Sequence, residues 1–199
     1  MLGQAAIAMW WDIAPEVKSE WEDWHSREHM PERLAIPGFL RGTRWIALSG
    51  EPFYFVLYET AELSTITSGP YLERLNNPTP WSRKMMPHHR NMVRSLCLVR
   101  ASYGAGLPHA MATLRFSPAN EIPELPRRKG VTGAHLLQSQ PMPAAPTAEQ
   151  QIRGGDATAD WVLLVGGYDA QAVGQVAEES ALPGARLGLY RVSFSLSRS

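Results

Sequence analysis

One cysteine in 199 residues leaves no internal disulfide framework, and Cys97 sits in the apolar, strand-like run Leu96-Cys97-Leu98-Val99. That setting predicts a buried, inert thiol and fits a reducing compartment. An excess charge of either sign is also missing: 19 Lys+Arg balance 19 Asp+Glu. A neutral chain lacks the broad field that holds nucleic acid or anionic membrane. No apolar run approaches the ~20 residues of a membrane span. The apolar start, Met1 to Trp11, lacks a basic flank and soon meets Asp12. The expectation is a cytoplasmic protein with no nucleic-acid or membrane partner.

The chain is instead 44% hydrophobic, with only 19% of its residues charged, enough for a packed core. Six of its seven tryptophans, Trp10, Trp11, Trp21, Trp24, Trp45 and Trp81, fall in the first half, material for an aromatic-lined cavity.

The densest stretch runs from Trp21 to Phe39. Trp21, His25 and His29 are spaced i, i+4, i+8 and share one side of a helix. Pro31 has no N–H to donate and disfavours helix at Met30, so the helix should end or kink near His29. Pro31 then opens a short second turn to Ala35, and Pro37-Gly38 stops it.

Around this segment the pattern reads strand Ala5–Ala14, helix from Pro15, strand Phe39–Ser49, strand Phe53–Glu59 paired to it as a hairpin, helix Ala61–Leu75 interrupted at Gly69-Pro70, and strand Ser95–Tyr103. A short irregular helix is expected within 81–94. This β-α-β-β-α-β order is ferredoxin-like. The second half echoes it with strands at His109–Phe116, Val131–Ser139, Trp161–Tyr168 and Arg186–Leu196 and a helix at Ala170–Ser180. It departs in two places. Pro123 and Pro126 break the segment 118–129 where the first helix should repeat, and Gln138–Asp160 reads as a mobile loop rich in Pro, Ala, Gln and Gly. The fold class expected is therefore α+β: tandem ferredoxin-like repeats, residues 1–105 and 106–199, forming one antiparallel barrel with helices outside. The first repeat carries the site.

Trp24-His25-x-x-x-His29-x-Pro31-Glu32-Arg33-Leu34-x-x-Pro37-Gly38-Phe39, leading into a strand, resembles the EthD-like branch of the dimeric α/β-barrel superfamily. In that branch a helix carries an aromatic residue, then His-x-Pro, then a Pro-Gly entry to the second strand. Superfamily members include cofactor-free oxygenases, isomerases, dehydratases and decarboxylase-like lyases, with haem-binding branches besides. The resemblance implies a small-molecule enzyme of aromatic metabolism, needing no cofactor.

His29 is the first candidate for general acid-base work. A helix C-terminus, Glu28 and Glu32 favour its protonated form and burial opposes it, so a pKa near neutral is expected. His25, one turn earlier, would share a proton or hold His29. The same pair has metal-ligand spacing but no third ligand, so no metal is expected. Arg41 and Arg44 lie on opposite faces of the second strand; an inward arginine would fix a carboxylate or enolate oxygen. Arg44, Tyr54, Trp81, His89 and Asp12 complete the candidate substrate site, with Asp12 able to orient a histidine and Trp81 to His89 serving as a pocket lid. Lyase, isomerase or decarboxylase chemistry on an aromatic or conjugated oxygenated substrate is the leading expectation. A cofactor-independent monooxygenase of a phenol is the first alternative. A non-catalytic barrel whose histidines only support a helix is the second. A haem site lacks a second ligand motif. A homodimer is a compatible assembly.

Overall fold

The computed structural model describes residues 1–117, 124–141 and 145–198. Eight strands form one sheet: β1 (Ala5–Ile13), β2 (Phe39–Ser49), β3 (Tyr54–Thr60), β4 (His89–Tyr103), β5 (Ala110–Phe116), β6 (Val131–Gln140), β7 (Trp161–Gly167) and β8 (Arg186–Ser197). Every neighbouring pair is antiparallel. The order β1-β3-β2-β8-β5-β7-β6-β4 closes on itself, so no strand edge is left bare. The arrangement β4-β1-β3-β2 in the first half recurs as β8-β5-β7-β6 in the second. Pairs β2–β8 and β4–β6 weld the two sheets into the barrel.

Alternation along each strand divides the apolar residues into three sets. Inside the barrel lie Trp10, Trp45, Phe55, Leu57, Cys97, Met111, Leu164 and Tyr190. Outside, the first half turns Ile7, Met9, Trp11, Tyr54, Val56 and Tyr58 towards its helices. The second half packs Ala112, Leu114, Leu163 and Val165 against α6 (Ala170–Glu179). Cys97 is fully buried, and burial pushes its thiol up to about 12, consistent with an inert core residue.

Several boundaries differ from expectation. The helix after β1 does not end near His29. α1 (Lys18–Trp24) passes through one π-turn, His25–His29, into α2 (Met30–Leu34). The Met30 N–H reaches five residues back to the His25 carbonyl, and this wider turn lets the helical segment run on past the proline. The next helix is not interrupted at Gly69-Pro70 but begins there. α3 (Gly69–Asn76) is capped by the Ser68 hydroxyl, and a short 3-10 stretch, Leu63–Thr67, precedes it. α4 (Pro80–Met85) follows, and β4 starts six residues earlier than expected.

The largest difference is the supposed mobile loop. It carries α5 (Ala148–Arg153), opened by a capping box between Thr147 and Gln150. Ala157 then exchanges backbone hydrogen bonds with Met92 and Arg94 of β4. Of the proline-broken segment, 118–123 lies outside the described residues, and 124–128 forms neither helix nor strand.

Candidate active site

The histidine segment lies across the outer face of β1, β3 and β4, not over the barrel interior. Trp21 and Trp24 are fully buried there. Rings of this size each bury about 150–250 Å², so two of them anchor the segment. The Trp24 indole also donates to the Ser82 hydroxyl of α4 at 3.2 Å. Trp21, His25 and His29 stack as their spacing predicts, with ring centroids 4.8 Å and then 5.5 Å apart. Gly38, at φ 93°, ends the helical segment in a conformation other residues resist. Gly42 leaves room beside the Tyr58 ring, where a Cβ would come within 2.8 Å.

His25, His29 and His89 share a cavity with Tyr58, Trp11 and Arg33. Its volume is about 30 Å³, room for a water or two. Six buried side-chain polar atoms among the described residues have no partner, and three of them border this cavity: Trp11 Nε1, His29 Nδ1 and the Tyr58 hydroxyl. Buried polar atoms normally find partners, so such a cluster marks a place where a ligand or water completes the bonding.

Burial holds the His29 pKa well below 6.5, and Arg33, His25, His89 and Arg153 push it the same way. Burial dominates at His25 too, followed by Arg44, whose Nη1 lies 3.4 Å from His25 Nδ1. His89 falls to about 3, mainly through burial. Its Nε2 accepts from the Trp21 indole at 3.2 Å, which leaves Nδ1–H to donate to the Met86 carbonyl at 2.9 Å. The expectation of a near-neutral pKa at a helix C-terminus is thus overturned. His29 is mid-helix, where the dipole gives little, and desolvation outweighs Glu28 and Glu32.

The cationic side of the cavity was not legible as a set. Arg33 is 3% exposed and donates to Glu149 of α5. Arg94 donates to the Tyr71 hydroxyl at 3.1 Å. Arg153 of α5 pairs with Asp156 at 2.6 Å. Arg33, Arg94 and Arg153 line this side of the cavity with Glu149, and acids hold Arg33 and Arg153. The only sequence signal was the capping box that makes residues 147–153 helical; its docking is a tertiary fact. Glu149→Gln would leave Arg33 buried without its counter-charge. The expected loss is about 3 kcal/mol of unfolding free energy, read from the urea midpoint.

The other candidates are dispersed. Arg44 stands on the helix side of β2, with its guanidinium 5.6 Å from the Trp21 ring, and touches His25 from behind the cavity. Arg41 turns the opposite way and pairs with Glu59. The Tyr54 hydroxyl donates to Glu22 at 2.7 Å, so Tyr58, four residues on and on the same face, is the one that reaches the cavity. Asp12 accepts from the Phe53 N–H at 2.7 Å and from Asn91 at 2.8 Å; its carboxylate is spent on the β2–β3 turn and β4, not on a histidine. Trp81 is half-buried on α4, outside the cavity lining. His89 joins the cavity, whereas His88 does not line it. Among the described residues, no three His, Cys, Asp or Glu side chains converge as a metal cluster, and no helix is long and apolar enough to cross a membrane.

No family model and no curated protein matches the chain. Solved structures do. An anthrone oxidase-like protein superposes with a TM-score of 0.58 at 7% identity, covering 98% of this chain and 93% of its own. A candidate monooxygenase from Fusobacterium nucleatum gives 0.52 at 7% identity, covering 100% and 97%. A candidate monooxygenase from Lactobacillus acidophilus gives 0.53 at 6%, covering 98% and 97%. At such identities the likeness speaks for architecture: the chain has the α+β fold of the dimeric α/β-barrel proteins, a closed eight-stranded antiparallel barrel with its helices outside.

Proposed function

We propose that the protein is a small-molecule enzyme in which a neutral imidazole removes a proton from an oxygenated, conjugated substrate without a cofactor. The observation that carries this reading is the trio of unpartnered polar atoms around one cavity: His29 Nδ1, the Tyr58 hydroxyl and Trp11 Nε1. An imidazole held well below its ordinary pKa is unprotonated at neutral pH and ready to accept. Its weak basicity is offset by the surroundings. The guanidinium groups of Arg33, Arg94 and Arg153 along the lining favour a developing phenolate or enolate over its neutral form, and the Tyr58 and Trp11 donors can hold its oxygen. His25, backed by Arg44, keeps His29 in place by stacking. The cavity as it stands admits a water or two, so an aromatic ring requires it to widen.

Lyase or isomerase chemistry follows if the carbanion rearranges or expels a group. Oxygenation follows if it meets dioxygen, and the names carried by the three structural neighbours favour keeping that second reading. Both begin with the same proton. The test is hydrogen–deuterium exchange at the acidic C–H of an anthrone and of a panel of phenols and 1,3-dicarbonyl compounds, without oxygen and then with it. Exchange above the buffer rate supports the base. Oxygen uptake then selects the oxygenase, and conversion without uptake the lyase or isomerase. Exchange at the buffer rate across the whole panel overturns the proposal.

A further inference from the structure

Arginine plugs the barrel at both mouths, but among the described residues only one of the two is paired with an acid. At one end Arg41 pairs with the buried carboxylate of Glu59. At the other, Arg115 of β5 is 7% exposed, with its guanidinium 5.0 Å from the Trp10 ring. Its Nη2 donates to the Glu51 carbonyl at 2.8 Å, and its Nε has no partner. Directly across the ladder on β8 stands Arg186, in register with Arg115 and exposed. Among the described residues neither forms an ion pair. Like charges on opposed strand positions repel, and a buried unpaired guanidinium is costlier still. The Trp10 ring face and the Glu51 carbonyl offset only part of that cost.

Both arginines face a recess of about 270 Å³, close to the lower end of ligand-pocket volumes, about 300 Å³. Ser117 and Thr158 add hydroxyls, and Val93, Phe116 and Ala159 form apolar wall. Among the described residues Asp160 is the one carboxylate of the lining, against the two arginines. The recess is separate from the histidine cavity: Val93 faces it, while Met92 and Arg94 on either side face the cavity.

We infer that this recess binds a small organic carboxylate, with Arg115 and Arg186 sharing its two oxygens and its apolar body against Val93, Phe116 and Ala159. Guanidinium groups match carboxylate geometry, and a bound anion turns the repulsion between the two arginines into a bridge. Burial lowers the Arg115 pKa, and the neighbouring Arg186 acts in the same direction.

Benzoate and inorganic phosphate are the probes, titrated into full-length protein carrying ¹⁵N-labelled arginine. Benzoate should shift the Arg115 Nε–H resonance saturably, with millimolar affinity or better. Arg186→Gln, an exposed change that spares the core, should weaken binding about tenfold or more. Asp160→Asn should tighten it. Arg115→Met serves as a second variant, scored only after its circular dichroism matches the parent. Absence of saturation, equal binding by Arg186→Gln, or phosphate binding as tightly as benzoate would each overturn the assignment.

Discussion

Replacing His29 by alanine is expected to lower kcat/KM for the exchanged or oxidised substrate by about 10²- to 10⁴-fold, the usual contribution of a positioned base. The loss should fall on kcat more than on KM, because the imidazole meets the proton mainly in the transition state. His25→Ala should cost less, since its Nδ1 faces Arg44 and its contribution is to hold the His29 ring. A shallow pH profile in the wild type is part of the same expectation. With the His29 pKa well below 6.5, the base is already neutral at pH 7, and activity falls only on the acid side. A variant that keeps full activity, or a wild-type profile that rises through pH 6–7, would remove His29 from the chemistry. Circular dichroism separates loss of the base from loss of the fold.

The second expectation is steep acid destabilisation. His25, His29, His89 and His135 are all held below 6.5 in the folded protein, chiefly by burial, with His89 and His135 at about 3. In the unfolded chain each binds a proton near its ordinary value, so below pH 6.5 the unfolded state binds more protons. Stability is therefore complete above that pH and declines as pH falls towards the folded values. Each histidine adds about 1.4 kcal/mol per pH unit, so four lose about 5 kcal/mol between pH 6 and 5. That is comparable with the whole stability of many domains, about 5–15 kcal/mol. The window lies above ordinary carboxylate titration, which isolates the imidazoles. Urea unfolding at half-unit pH steps measures the slope, and His89→Phe should reduce it by about 1.4 kcal/mol per pH unit. A flat midpoint from pH 6.5 to 5 would show these rings to be solvated.

Much of the architecture could be read in advance because it rests on local pattern. Alternation along Phe39–Ser49 and Tyr54–Thr60 marks which residues share a face, and the hairpin between them follows from a short Gly-Pro turn. The stacking of Trp21, His25 and His29 needs only helical spacing. The π-turn was harder to foresee, since Pro31 predicts a disturbance without saying whether the helix breaks or widens. Tyr54 and Tyr58 could not be told apart by periodicity, as both point the same way. Glu22 takes the first hydroxyl and leaves the second facing the cavity.

Composition and spacing thus established a neutral, disulfide-free α+β barrel and a histidine-bearing helix laid along it, because hydrophobic period and backbone chemistry are written residue by residue. The packed molecule alone settled that the imidazoles lie outside the barrel rather than within it, that they are kept uncharged, and that Glu149 and Arg153 arrive from more than a hundred residues away to close the cavity. Desolvation and ion pairing between distant segments depend on what surrounds a side chain in space, and no local pattern along the chain records that.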